Sequence, residues 1–254
     1  MNIILVEKEE IQENSVILTD HRAEHIVKIL RSAVGETIKI GVVGGNMGTG
    51  EILSVGRKYP FTVEIRLTLT IAPPPVAPID LVLALPRPIM LKRILRQVTA
   101  LGVGKIHLIN ANRVEKSFWE ATVLDPLELR ANLVQGLEQA VDTRLPEVFL
   151  HRRFRPFIED FVAETVQDYG HLVCAHPAGH HTLSGRFSAA GAGRVLLAIG
   201  PEGGWVDFEV DKFCRQGFAC CTIGHRILKV DTAVIAVHSR ISALLEAAGN
   251  QTSR

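Results

Sequence analysis

Apolar and polar positions divide the chain into two differently patterned parts. Up to residue 72 the apolar residues recur with period two, in segments 37–40, 51–55 and 62–69. Period two places alternate side chains on one face and predicts half-buried strands. The glycine-rich stretch 44–50 between two of them predicts a hairpin turn and lacks the Lys-Ser/Thr pair of a phosphate loop. One helix interrupts, with Asp20 as its cap and Ile26, Ile29 and Leu30 at helical spacing. From residue 79 onward short apolar runs alternate with helical periodicity. Strands are expected at 79–85, 105–109, 147–150, 171–175, 194–199 and 218–223. Helices are expected at 89–101, 125–141, 156–168, 206–216 and 230–248. This alternation predicts an α/β domain with a mostly parallel sheet.

The change of pattern falls at Ala72-Pro73-Pro74-Pro75-Val76-Ala77-Pro78, where four prolines exclude helix and stiffen the chain. The expected domains are therefore a small β-barrel at 1–72, a linker at 73–78 and the α/β domain at 79–254. The segment Met1–Glu7 has no basic start and no cleavage pattern, so no export signal is expected. No apolar run reaches the ~18 residues of a membrane span. The four cysteines form no C-x-x-C pair, which suits a reduced, cytoplasmic setting.

Net charge is only +1, which makes no global case for a nucleic-acid partner. The distribution changes that picture. Residues 81–155 carry twelve Lys/Arg against seven Asp/Glu, whereas residues 1–72 carry eight against nine. Arg87, Lys92, Arg93 and Arg96 lie along one predicted helix, and Arg22, His25, Lys28 and Arg31 along the earlier one. Each set reads either as a solvated face or as an RNA-contacting one. Trp119 and Phe118 read either as anchors in the core or as a stacking surface for a base.

Two stretches carry the chemistry. Ile199-Gly200-Pro201-Glu202-Gly203-Gly204 ends an apolar strand in a tight turn with one carboxylate. Alone it could be a turn with Glu202 capping the next helix. The stretch Ile223-Gly224-His225-Arg226-Ile227-Leu228-Lys229-Val230-Asp231-Thr232-Ala233 repeats the design, adding an arginine and an acid before a long helix. Paired strand ends opening into glycine loops are where α/β proteins hold ligands. His176, His180 and His181 have no cysteine or carboxylate at ligand spacing, so no metal site is expected.

These two stretches resemble the C-terminal motifs of the bacterial uracil-N3 methyltransferases of small-subunit (16S) ribosomal RNA, members of the trefoil-knotted SPOUT superfamily. His25-Ile26-Val27-Lys28-Ile29-Leu30-Arg31, Leu101-Gly102-Val103, Leu137-Glu138-Gln139-Ala140 with Arg144-Leu145-Pro146-Glu147, and Ala175-His176-Pro177 resemble further blocks in the same order. The resemblance implies a knotted C-terminal parallel-sheet domain behind a PUA-like N-terminal β-barrel that binds RNA. It implies a homodimer without metal or membrane attachment. S-adenosylmethionine would be held by Ala175, His176, Ile199, Gly200, Pro201, Gly203, Ile223, Gly224, Ile227 and Leu228. Catalysis would involve Arg226, with Glu202 and Asp231 as the local carboxylates. RNA contacts would come from Arg22, His25, Lys28, Arg31, Arg87, Arg93 and Arg96.

The sequence departs from the family pattern at several polar positions. Lys229, Val230 and Asp231 stand where the family has Arg-Thr-Glu, and Val141-Asp142 where it has Gly-Arg. Gln97 and Ala100 replace a lysine and a glutamate. These changes suggest an altered substrate grip, so a different RNA target, or a non-catalytic RNA-binding homologue, stands as the alternative.

Overall fold

The computed structural model describes residues 1–187 and 193–252, the last four of them as backbone only. The chain forms two compact units, Met1–Pro75 with Leu133–Leu145, and Val76–Asn132 with Pro146–Arg254. The expected domain range 79–254 needs correction, because 133–145 packs with the first unit.

In the first unit β1 (Ile4–Val6), β2 (Ser15–Leu18), β3 (Thr37–Val42), β4 (Met47–Gly56) and β5 (Thr62–Ile71) form one sheet in the order β1-β3-β4-β5-β2. Only β1 and β3 are parallel. The two end strands do not pair, so the barrel is a curled half-barrel. Its inner face buries Ile4, Val16, Leu18, Ile38, Ile40, Ile52, Val63 and Ile65. The glycine-rich stretch is mostly strand, with the turn confined to Val42–Asn46, closed by a 3.0 Å bond from the Val42 amide to the Asn46 carbonyl.

Asp20 caps α1 (His21–Glu24), accepting the Arg22 amide at 2.9 Å. The chain then widens into a π-helix, His25–Leu30. That wider turn moves the apolar positions off the 3.6 period. Ile26 is buried, but Ile29 and Leu30 are exposed, contrary to the helical reading. The expected role of Arg22 is also corrected. Its guanidinium donates to Glu10 (2.9 Å), Asp20 (2.7 Å) and the Leu5 carbonyl (2.8 Å), so it clamps this unit rather than facing RNA. The hydrogen bond from Arg22 holds the Glu10 carboxyl below its usual range despite partial burial. The His25 ring is half-buried, its Nε2 enclosed without a partner, and burial lowers its pKa. Lys28 pairs with Glu24 at 2.6 Å and lies over the Phe61 ring. Arg31 is exposed and ends the helix in the left-handed region, at φ +56°.

The second unit holds seven strands: β6 (Ile79–Ala84), β7 (Lys105–Ile109), β8 (Glu147–His151), β9 (His171–Ala175), β10 (His181–Thr182), β11 (Val195–Ile199) and β12 (Ala219–Thr222). They run in the order β10-β12-β9-β11-β6-β7-β8, and every pairing is parallel. The helices are α2 (Pro88–Ala100), α3 (Pro126–Ala140), α4 (Phe154–Pro156), α5 (Ala163–Thr165), α6 (Leu183–Phe187), α7 (Asp207–Arg215) and α8 (Val230–Thr252). A π-helix, Phe157–Val162, joins α4 to α5. Strand β12 lies between β9 and β10, which are close in sequence. Their connection must therefore cross β12. It does so at Gly179, where an added Cβ would stand 2.6 Å from the Cys221 carbonyl carbon. This interleaving is what a knotted C-terminal part requires.

Helix α3 begins in the second unit and ends in the first. It stops at Val141, in the left-handed region at φ +58°. Glycine, which the family pattern has here, would sit there freely, whereas a residue with a Cβ is strained by about 1–2 kcal/mol. Asp142 is buried and accepts the Thr143 (2.6 Å) and Arg144 (3.0 Å) amides. Asp142 therefore caps a turn inside the protein, which corrects the expectation that this change faces RNA.

Candidate functional site

Parallel strands present all their carboxyl ends at one edge of the sheet, where ligands of α/β proteins collect. Here the chain after β9, β11 and β12 encloses a cavity of about 290 Å³. Ala175, His176, Ile199, Gly200, Pro201, Gly203, Ile223, Gly224, Ile227 and Leu228 all line it. Arg226 and Glu202 line it as well. Sequence reasoning did not assign Trp205, Thr222, Val230, Ala233 and Val237 to the site, and they line the wall together with Pro177, Gly204 and Cys221. Trp205 stands directly after Gly203-Gly204 and Thr222 ends β12, so both are legible from the strand ends, whereas Val230, Ala233 and Val237 join the wall only when α8 folds back.

The wall after β11 is built by packing. Gly204, at φ +75°, closes a turn with a 2.8 Å bond to the Pro201 carbonyl. Trp205 is buried and meets Phe213 edge-on at 5.0 Å. A Cβ on Gly200 would stand 3.1 Å from the Trp205 indole, so only glycine leaves the ring in place without displacing it. Glu202 does not cap the following helix. Glu209 does, accepting the Val206 amide at 3.0 Å and the Asn112 amide at 2.7 Å. The Glu202 carboxylate instead accepts the Arg87 amide, at 3.1 Å.

The wall after β12 is tethered at its base. The Thr222 hydroxyl donates to the Gly224 carbonyl at 3.0 Å, and Arg240 donates to the Ile223 carbonyl at 2.8 Å. Beyond these bonds His225, Arg226 and Ile227 are exposed, Ile227 by 84%. The third wall, after β9, is held by the His176 amide on the Cys221 carbonyl at 3.0 Å.

Asp231 does not join the cavity. Its carboxylate receives Arg93 at 3.0 Å and the Thr232 amide at 2.9 Å. Burial pushes its pKa up, but Arg93, the amide and Lys229 outweigh it and leave the group more acidic than usual. A carboxylate so held makes a poor base. Asp231, expected as one of two local carboxylates, therefore stands outside the cavity as a structural partner of Arg93, whose guanidinium is correspondingly engaged. Arg96 is half-occupied too, donating to Asn132 at 3.0 Å. Arg87 is exposed at the start of α2, where Pro88 occupies the first helical position. Trp119 is an anchor: it is buried, and its Nε1 donates to Asn110 at 2.9 Å.

The cavity can take a flat heteroaromatic group. Ile199, Ile223, Leu228, Val230 and Val237 give it apolar walls, and the glycines admit close main-chain approach. Among the described residues the buried Trp205 Nε1 has no hydrogen-bond partner. A buried donor left unmet costs stability, and a ligand acceptor would remove that cost.

Comparison with known proteins agrees with this geometry. The family model described as RNA methyltransferase domain matches residues 72–242. Ribosomal RNA small subunit methyltransferase E of Treponema pallidum is 34% identical over 239 residues, covering 93% of this chain and 88% of that protein. The protein of the same name from Synechocystis is 26% identical, covering 96% of this chain and 78% of that protein. The crystal structure of the Neisseria gonorrhoeae protein of that name, bound to S-adenosyl methionine, superposes with a TM-score of 0.75 at 20% identity, covering 96% of this chain and 98% of that one. At that identity the likeness establishes the fold. The chain belongs to the RNA methyltransferase family, in the group of ribosomal RNA small subunit methyltransferase E.

Proposed function

We propose that this protein transfers a methyl group from S-adenosylmethionine to N3 of a uridine in small-subunit ribosomal RNA. The observation that carries this reading is the single cavity formed by the three strand-end loops, with an unmet buried donor at Trp205 and a cationic rim at Arg226. The residues present fit the cofactor: apolar side chains flank a slot for adenine, and the main chain at Gly200 and Gly224 can approach it closely. When bound, S-adenosylmethionine supplies an electrophilic methyl group on a positively charged sulfur.

The chain's own part is to orient, to hold charge and to admit one base. Arg226 stands at the rim, where its guanidinium favours the anionic ring that forms as the N3 proton leaves. Glu202 is the carboxylate on the cavity side and faces solvent, so the proton has a route to water. Holding ring and methyl group in line supplies much of the rate. Supporting a homodimer, the apolar Ile89 (78%), Leu127 (84%) and Ile227 (84%) stand exposed on the second unit, as a second copy would cover them. No described helix is long and apolar enough to cross a membrane, which suits work on ribosomal RNA in the cytoplasm.

A second reading keeps the chemistry and changes the nucleotide, on the strength of Lys229 and Val230, beside and within the cavity wall, in place of the family's Arg and Thr. Nucleoside mass spectrometry of ribosomal RNA from a deletion strain decides. Loss of 3-methyluridine is expected. Unchanged 3-methyluridine with loss of another methylated nucleoside would select the second reading.

A further inference from the structure

The register of the sheet places Ile199 beside Leu83, Ala84 beside Ile109, and Ile109 beside His151. The carboxyl ends of β11, β6, β7 and β8 therefore stand in a row, about 14 Å across at the usual ~4.8 Å spacing. The first of them opens into the cofactor-side wall. Arg87 follows β6, Arg113 follows β7, and Arg152 and Arg153 follow β8 directly. All four are exposed, and none forms an ion pair among the described residues.

Two acids at the same edge behave in the opposite way. Glu202 is turned to the Arg87 amide, and the buried Glu209 to the Asn112 and Val206 amides. The carboxylates of Glu202 and Glu209 are thus spent on main-chain amides, while Asp160 and Glu164 stand with Arg152 and Arg153 in the hollow after β8. Arg113 ties the row to the cavity by donating to the Gly203 carbonyl, which leaves the other N–H groups of its guanidinium open. At the far end Phe208 is 44% exposed, with the Arg155 guanidinium 5.2 Å from its ring centre. Unpaired arginines in a line, ending at an exposed aromatic ring, match a single-stranded nucleic acid: phosphates on the cations, a base on the ring.

We propose that this edge binds a single-stranded RNA segment leading away from the methylated nucleotide, with its phosphates on Arg87, Arg113, Arg152 and Arg153 and a base on Phe208. The proposal rests on the RNA reading above and adds the path the strand takes. A helical substrate would instead present phosphates on both sides of a groove, which one row of cations does not match.

The test uses the full chain, a labelled oligouridylate, and a transcript of the small-subunit RNA. Binding is measured across a range of salt concentrations. The double variant Arg152→Gln/Arg153→Gln should weaken oligouridylate binding about tenfold and lower the log–log salt slope by about 1.4, at ~0.7 per phosphate lost. Arg152→Lys/Arg153→Lys should restore the slope, because it restores charge. Since Arg152 also stacks on Trp119 at 5.2 Å, Arg153→Gln alone is the second variant, with half the change in slope expected. For methyl transfer, KM for the transcript should rise while kcat stays within about twofold. Unchanged slope and affinity in both variants would overturn the proposal, as would equally tight binding of duplex DNA of the same length. A wild-type chain that shows the slope difference but transfers no methyl group to the transcript would sink the enzymatic reading and leave the RNA path standing.

Discussion

The two main walls of the cavity are built on opposite principles. After β11, Gly200–Trp205 is fixed from behind: Pro201 and Trp205 are buried, Glu202 is tied to α2, and Arg113 holds the Gly203 carbonyl. After β12, Ile223–Lys229 is held at its two ends, by the bonds at Thr222 and Ile223 and by the Ala233 amide on the Lys229 carbonyl at 2.8 Å, while His225–Ile227 between them stand in solvent. The first wall is a finished half-site. The second carries Ile227 and Arg226 at the cavity rim, exposed to solvent and open to be covered by something else. Preformed walls cost little to bind against, whereas an open loop must be ordered when a ligand arrives. Cofactor grip should therefore live mainly in the first wall, and substrate selection in the second.

Substitutions can break that division. The largest effect is expected from Gly200→Val, which drives side-chain carbons into the Trp205 indole and collapses the packed wall. S-adenosylmethionine affinity should fall about a hundredfold by titration calorimetry. A loss under threefold would mean that the first wall yields and is not the grip. Next comes Arg226→Ala. Methyl transfer should fall about a hundredfold, as for loss of one charge-stabilising donor, with cofactor Kd within about threefold. Equal loss in both would move Arg226 from catalysis to cofactor binding and erase the contrast between the walls.

Smaller effects sharpen the same contrast. Trp205→Phe removes the unmet Nε1 donor and leaves a smaller aromatic ring in its place. If that donor meets the cofactor, affinity should fall about tenfold, while the melting temperature falls only modestly because loss of the unsatisfied donor offsets part of the packing lost with the larger ring. Unchanged affinity would assign the indole to packing alone. The least effect is expected at Gly224, where φ is +147° but an added Cβ meets nothing within 4 Å. Gly224→Ala should cost about 1 kcal/mol in urea unfolding through backbone strain and shift cofactor Kd by under threefold. A large affinity loss there would show the second wall to be as constrained as the first.

Most strands, the longer helices and the cavity-lining loops were legible in the sequence because each rests on local signals (period two, period 3.6, and glycine after an apolar run), whereas the short strands β1, β2 and β10 carry too few residues to show a period. What escaped was pairing at a distance. Arg22 reads as an RNA contact until Glu10 is seen under it. Asp231 reads as one of two local carboxylates until Arg93, 138 residues away in sequence, takes its charge. Glu202 finds an amide 115 residues away instead of the helix next door. Charged side chains are flexible and long, and their partners are chosen by tertiary packing, to which spacing along the chain is blind. The π-helix at His25–Leu30 escaped for another reason: one extra residue per turn shifts every later position, so Ile29 and Leu30 point outward.

The return of residues 133–145 to the first unit bears on how the chain matures. Ile3, Leu5 and Met47 are covered by Leu137, and the Asn2 amide is met by the Glu138 carbonyl at 2.9 Å. The Gly44 amide waits for the Thr143 carbonyl, at 2.6 Å. During synthesis from the N-terminus, the half-barrel is thus unfinished when the proline stretch emerges and stays so until some seventy further residues, 76–145, have followed. A fragment cut at the prolines would leave Ile3, Leu5 and Met47 bare and prone to associate. The newborn first unit is therefore completed by a segment that lies, in the sequence, within the second.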